Sequence, residues 1–433
     1  MSKIRKASTM SYPNDTYEAV VVGAGPAGIT VVGNLLEQKV EPILWVDESF
    51  NGGRVNRAYR EVPSNTKVKL FIDFATAVAP FRKIVSGVPS RSRYEEPSES
   101  DGVSVSGKPD KLQALRSLDQ DKGCQLSHAA DMCLMLTEGL RKTPGVQSLK
   151  GKVGSAILDE QSGTWTVQLD NDRGPEHNAG TVPNIAQAST KRIVLCTGSS
   201  PNNSPLPVHI PSLHNLDLDC VLSPSLLATA LSPQDGPTTV AVIGASHSAV
   251  LCLMNLYNLA RTSKPDLRIK WLTRHPLRYA EYMDGWILRD NTGLKGEAAD
   301  WAKKNLEPET LPTSDVSKYL NVVRYPAGSE SDVLAKEMQN VDFYVQAIGY
   351  SPDPIPTLQT QSGKPVTPFY DHENGSFTYE VGKVGEEREK LPGLFGAGIA
   401  WPERVRDPHG NVEMAVGFWK FMRYIKRVVP GWV

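Results

Sequence analysis

The sequence predicts an α/β protein made of two Rossmann-like dinucleotide-binding domains, one inserted into a discontinuous other. Three observations predict it. A run of strand, glycines, helix, strand and acid opens the chain at Tyr17 to Glu48. A second run in the same order, with altered residues, spans Thr239 to Arg274. Two apolar strands with small-residue ends, Arg192 to Pro201 and Val341 to Gly349, mark where the chain crosses between the units. The expected division is 1–210 for the first part of the outer domain, 211–345 for the inserted one and 346–433 for the return.

Ala19 to Val22 is a short apolar run with β-branched residues, as in a strand covered on both faces of a parallel sheet. Gly23, Gly25 and Gly28 follow as G-x-G-x-x-G, with Pro26 and Ala27 inside the motif. The first glycine allows the tight turn. The second leaves room for a pyrophosphate against the backbone, and the third lets the helix pack on the strand. Free N–H groups at that helix start attract phosphate charge. Ile43 to Val46 is the next strand. Asp47 ends it, with Glu48 beside it, about 20 residues past the glycines, where a carboxylate accepts from a ribose hydroxyl. Glycines alone also fit a plain turn, but here every neighbouring part stands in the order a dinucleotide requires.

A length of 433 residues suits two or three domains. The formal net charge is −1, which supplies no field for nucleic acid or an anionic membrane. The five cysteines, Cys124, Cys133, Cys196, Cys220 and Cys252, show neither C-x-x-C nor zinc spacing. They fit a reducing compartment, and Cys196 and Cys252 read as core thiols. The histidines have no helical metal-ligand spacing, so no metal is expected. Met1 to Asn14 reads as a frayed basic tail without a signal-peptide core. The uncharged run between Asp235 and Arg261 carries polar residues that suit a strand and buried helix better than a membrane span. A cytoplasmic protein with neither membrane nor nucleic-acid partner is expected.

Between the two runs, Asn51-Gly52-Gly53-Arg54 is a tight turn; close approach to a ligand and an ordinary turn stay equally open. Ser64-Asn65-Thr66 is a polar triplet among apolar neighbours, and composition alone favours an Asx turn. Ser86 to Lys111 and Asn171 to Ser189 read as polar loops. Leu126 to Leu140 has helical spacing. Val153 to Leu158 and Thr164 to Leu169 alternate as a hairpin. The strand from Arg192 ends in Thr197-Gly198.

In the second run, Val240 to Ile243 is the strand and Gly244-Ala245-Ser246-His247-Ser248-Ala249 the turn. Ser246 stands in the middle glycine's place, and its hydroxyl is a phosphate donor. Ala249 in the last place is compatible with helix packing. The acid expected after Ile269 to Thr273 is replaced by Arg274. An arginine there matches a 2′-phosphate, so the reading is NADP, with a plain surface arginine as the alternative. His247 at the helix start either touches the dinucleotide or caps the helix; both stay open.

Further on, Glu297 to Leu306 reads as a helix. Tyr279, Tyr282 and Trp286 are candidates for a substrate entrance, though packing is their commoner role. Leu391 to Gly398 is a turn, strand and glycine pair, and Asn411 to Val428 one amphipathic helix with Met414, Phe418, Met422 and Ile425 on a face. Trp286, Trp301 and Trp419 are candidate interface aromatics if identical copies form a homo-oligomer.

These parts resemble the two-dinucleotide-binding flavoproteins, and within them the class B flavin-dependent monooxygenases that include the animal flavin-containing monooxygenases. Gly23 to Gly28 matches that family's FAD motif, and Gly52-Gly53 the glycine pair after its ribose acid. Gly244 to Ala249 resembles its NADPH motif, and Ala347-Ile348-Gly349-Tyr350 its A-T-G-Y motif with Ile348 for Thr. The spacing of Val62, Asn65, Lys67, Phe71, Asp73 and Phe74 resembles the segment whose asparagine lies by the flavin. The resemblance implies FAD on the outer domain and NADPH on the inserted one. It implies cofactor contacts from Gly53, Arg54, Thr197, Gly198, Ser248 and Gly398 besides those above, and Asn65 as the residue supporting the oxygenated flavin. It also implies O₂ and a small-molecule substrate, whose nitrogen or sulfur would attack a flavin C4a-hydroperoxide. The F-x-G-x-x-x-H signature is absent, Ile210 to His214 standing in that region, which argues against Baeyer–Villiger chemistry. Ile399 after Gly398, where disulfide reductases carry Asp, and the missing C-x-x-C argue against a disulfide reductase. A flavin reductase or oxidase without oxygen insertion, and a non-catalytic FAD-binding protein, are the alternatives.

Overall fold

The computed structural model describes residues 16–87, 111–170, 187–234, 236–380 and 388–433. The tail Met1 to Asn14, and most of the loops read at Ser86 to Lys111 and Asn171 to Ser189, lie outside the described residues.

Ala19, Val20 and Val21 are fully buried, as strand residues covered on both sides must be. Their strand, Ala19–Val22, lies inside a seven-stranded sheet. The order is Phe369–Tyr370, Ser376–Glu380, Arg388–Gly396, Ile193–Leu195, Ala19–Val22, Ile43–Asp47, Val146–Lys150. The last five run parallel, and the first two join antiparallel at the edge. Val20 pairs with Leu44 on one side and Ile193 on the other. Strands from the two ends of the chain therefore share one sheet.

One face of that sheet carries the helices Pro26–Glu37, Val68–Thr76, Leu126–Arg141 and Phe418–Val428. They close over Phe71, Phe74 and Phe81, which are fully buried; each contributes about 1.5–3 kcal/mol of burial. Phe418 meets Phe71 and Phe74 edge-on, at centroid distances of 5.3 and 5.5 Å. The other face is covered by a five-stranded sheet that includes the predicted hairpin, Lys152–Asp159 with Thr164–Asp170.

The second parallel sheet takes all its strands from within His214 to Arg324 and Phe343 to Gln346. Its order is His214–Asn215, Phe343–Gln346, Thr238–Ile243, Leu267–Thr273, Leu320–Arg324. The helix His247–Thr262 packs on it through Val250, Leu253 and Leu256. Between the two sheets run Ser199–Pro201 and Tyr350–Pro352, paired antiparallel, with Tyr350 opposite Pro201.

Two local expectations fail. Asn411 to Val428 is not one helix. Val412–Ala415 is a strand paired with Glu403–Arg406, and the helix begins at Phe418. Gly417, at φ +144°, breaks the run, so Met414 stands 41% exposed on the hairpin rather than on the helix's apolar face. At the end of the second expected loop, Gln187–Thr190 is a strand between Thr164–Asp170 and Thr16–Tyr17. Its alternation of buried Ala188 and Thr190 was too short to signal a strand.

Candidate functional site: two glycine turns at one seam

The two nucleotide-type runs are built alike to the level of single hydrogen bonds. Gly23 donates its N–H to Val46 O at 2.8 Å, and Gly244 to Leu272 O at 3.0 Å. Their φ angles are +105° and +132°. A Cβ on either would stand 2.3 Å from the carbonyl oxygen past a neighbouring strand, that of Cys196 or Ala347. Glycine is therefore required at both turns. Trp45 donates its indole N–H to Gly23 O at 2.9 Å, and Trp271 does the same to Gly244 O at 2.7 Å. Sequence reasoning missed these tryptophans. Their signal was position: each stands two residues before the end of the second strand of its run.

The first turn forms a cradle. The helix Pro26–Glu37 starts after Gly25 with no side-chain cap, so its first N–H groups and dipole are available to an anion. A Cβ on Gly53 would lie 2.9 Å from Gly25 Cα, and one on Gly398 2.5 Å from Ala27 Cβ. The structure thus brings Gly25, Pro26, Ala27, Gly53 and Gly398 together. Gly28 packs the helix on the turn, its would-be Cβ 1.9 Å from Gly23 O. Asp47 fastens the rim: Oδ2 accepts from Ala24 N–H at 2.7 Å, and Oδ1 from Ser49 and Phe50 N–H at 2.8 and 2.6 Å. Glu48 beside it is exposed, its Oε1 3.4 Å from Lys152 Nζ. On the adjoining strand end, Thr197 Oγ1 is buried without a described partner, and Gly198 has φ +86°. Backbone N–H groups, an orphaned hydroxyl and a wall that admits no Cβ fit the phosphate and ribose of a dinucleotide.

The second turn opens on a cavity of about 1060 Å³. Gly244, Ala245, Ser246, Arg274, Ala347 and Gly349 line it. Ser246 is exposed at the helix N-terminus and caps nothing with its side chain. His247 Nδ1 is buried without a described partner. Burial, with the Lys295 charge nearby, pushes the imidazole down to about 4, so it is neutral at physiological pH. Arg274 Nη1 lies 2.8 Å from Glu330 Oε1.

A chain of polar groups joins the two units. Arg54 pairs with Asp219 and donates to Ser200 Oγ at 2.6 Å. Ser200 in turn donates to Asp353 at 2.5 Å. The Tyr59 hydroxyl donates to Asp219 Oδ1 at 2.9 Å and lies 3.1 Å from that of Tyr350. Burial raises both phenols, so they stay protonated donors. Arg54 is thus committed to the seam; Asp219 and Tyr59 are seam residues the sequence reading did not select, and Tyr350 entered it only as the end of the A-T-G-Y-like motif.

Asn65 also lies where the units meet. Ser64 makes the local turn, donating to Thr66 O at 2.6 Å and accepting from Thr66 N–H at 2.9 Å. Asn65 is exposed. A Cβ on Gly296, which starts the inserted unit's helix Gly296–Asn305, would lie 3.7 Å from Asn65 Cα. Of the three entrance aromatics, Tyr279 is bonded to Glu307, Trp286 sits 4.9 Å from His409, and Tyr282 is 69% exposed. Among the described residues no His, Cys, Asp and Glu cluster could hold a metal, and no helix is long and apolar enough to cross a membrane.

The monooxygenase AgnR1 of Paecilomyces divaricatus is 48% identical over 416 residues, 96% of this chain and 97% of that protein. The chain belongs to that monooxygenase family. It is an oxidoreductase, and as a monooxygenase it acts on a small molecule with O₂. No family model matches it. The monooxygenase is similar in fold to cyclohexanone monooxygenase from Rhodococcus sp. Phi1 bound to NADP⁺, with 12% identity and a TM-score of 0.52 over 96% of this chain and 85% of that one. The ε-caprolactone-bound cyclohexanone monooxygenase in its Loose conformation has a TM-score of 0.51 at 12% identity, over 96% and 87% of the two chains. The two-dinucleotide-domain architecture expected from the sequence is therefore the architecture of this chain.

Proposed function

We propose that this monooxygenase uses FAD on the Gly23–Gly28 turn and NADPH on the Gly244–Ala249 turn, and oxygenates nitrogen or sulfur of a small molecule. The supporting observation is that two like-built turns lie in units joined across one seam by the Arg54, Asp219, Tyr59 and Tyr350 chain. FAD, once reduced by NADPH, supplies the activation of O₂, and the protein supplies positioning and electrostatics.

The chain's own residues then have definite tasks. N–H groups past Gly25 hold pyrophosphate, and the Thr197 hydroxyl gives a further bond. Ser246 donates to the second pyrophosphate, and Arg274 takes a 2′-phosphate. Neutral His247 offers hydrogen bonding without adding a charge beside Lys295. The half-buried seam of hydrogen bonds keeps the nucleotide-binding units at a fixed spacing. Asn65 presents an unburied amide there, able to donate and accept. No catalytic carboxylate pair or triad is needed for attack by a soft nucleophile. The absence of the F-x-G-x-x-x-H signature weighs against ketone oxidation. A cytoplasmic setting accords with the five free cysteines.

The test is to supply FAD-loaded protein with NADPH and O₂ against panels of amines, sulfides and cyclic ketones. NADPH use, oxygenated product and H₂O₂ are measured together. Product matched to NADPH with an amine or sulfide is expected. Product from ketones alone would replace the substrate class, and H₂O₂ alone with every panel would favour an oxidase.

A further inference from the structure

We infer that Glu330 restrains the preference of the second turn for the phosphorylated nucleotide, by holding the Arg274 guanidinium that a 2′-phosphate would otherwise take. The inference rests on the reading of Arg274 as the 2′-phosphate residue.

Arg274 follows the last residue of the strand Leu267–Thr273, at the mouth of the cavity. Its Nη1 is 2.8 Å from Glu330 Oε1. The other carboxylate oxygen, Oε2, accepts from Gly328 N–H at 2.8 Å. Glu330 is the first residue of the helix Glu330–Glu337, where the helix dipole favours a negative charge. The Arg274 hydrogen bond, together with the backbone bonds, holds its carboxyl below the usual range. The acid is therefore ionised and fixed at both oxygens, and it lines the same cavity as Arg274.

A guanidinium binds carboxylate and phosphate through the same planar fork of donors. A 2′-phosphate reaching Arg274 must displace the Glu330 oxygen or share the fork with it, and in either case two anions are left close together. A nucleotide without that phosphate meets neither conflict. The side chains of Arg274 and Glu330 are 47% and 34% exposed, so the pair is weak and water-screened. Glu330 is a brake on the phosphorylated cofactor, and it narrows the gap between NADPH and NADH without reversing it.

The test titrates NADP⁺ and NAD⁺ by calorimetry into oxidised, FAD-loaded protein. The wild type is compared with Glu330→Gln, Glu330→Ala and Arg274→Ala. Both Glu330 variants are expected to bind NADP⁺ about three- to tenfold more tightly, with NAD⁺ changed less than about twofold. Equal gains for both nucleotides, or no gain in either Glu330 variant while Arg274→Ala weakens NADP⁺, would overturn the inference and leave the Arg274 reading standing. Unchanged NADP⁺ binding in Arg274→Ala would remove the Arg274 reading itself, and the inference with it.

Discussion

Replacing Gly53 by alanine tests the first cradle at its tightest point. Gly53 has φ 73° and ψ −157°, a region open essentially to glycine, and a side chain there costs about 1–3 kcal/mol. The new methyl would also lie 2.9 Å from Gly25 Cα and 3.6 Å from Gly25 N. Neither neighbour is a flexible side chain, so two backbone segments must part, at about 1–3 kcal/mol more. The sum, about 2–6 kcal/mol, divides between lost stability and a misshapen phosphate site. If half falls on the site, FAD binds roughly fivefold to over a hundredfold more weakly. The assay pairs urea unfolding of the apoprotein with fluorescence titration of FAD. Gly363→Ala is the control: its φ is +82°, but nothing lies within 4 Å of the added methyl. That variant should lose only the backbone part, about 1–2 kcal/mol of stability, and keep its FAD affinity. A Gly53→Ala protein that binds FAD and unfolds like the wild type would refute the reasoning.

Two further outcomes are expected. Asn65→Ala should keep its fold and FAD, because Ser64 rather than Asn65 makes the turn, yet give at least about tenfold less oxygenated product per NADPH, with H₂O₂ in its place; unchanged coupling removes Asn65 from the chemistry. His247 binds its proton near pH 4 when folded, against an ordinary 6.5. Between those values the unfolded chain binds more protons, so stability falls as pH drops from about 6.5 to 4, by about 1–3 kcal/mol. His247→Gln should lose that part of the slope in urea unfolding at pH 7 and pH 4.5, and an unaltered slope would show that His247 is not held neutral.

The sheet architecture was legible because its signals are local. Buried strands such as Ala19–Val22 read as unbroken apolar runs, and the glycines at 23 and 244 follow them directly. The seam was not legible. Arg54 and Asp219 lie 165 residues apart, and Tyr59 and Tyr350 291 apart; each alone is an ordinary polar or aromatic residue. Asp47 was found by its spacing, but its hold on Ala24, Ser49 and Phe50 is a matter of loop geometry. The helix misread from Asn411 shows the limit of periodicity. Met414 keeps helical register with Phe418, yet it lies in a strand paired with Glu403–Arg406, and Gly417 at φ +144° separates it from the helix. Glu330 is invisible from sequence because its partner Arg274 is 56 residues away.

On the proposed reading, two nucleotides on the two glycine turns meet across the seam. Adding NADPH without oxygen to the purified, FAD-loaded protein tests it most directly, read in the visible flavin absorbance. The yellow colour is predicted to bleach on addition of NADPH. A flavin that stays oxidised with NADPH in excess, or a folded protein that never takes up FAD, would contradict it.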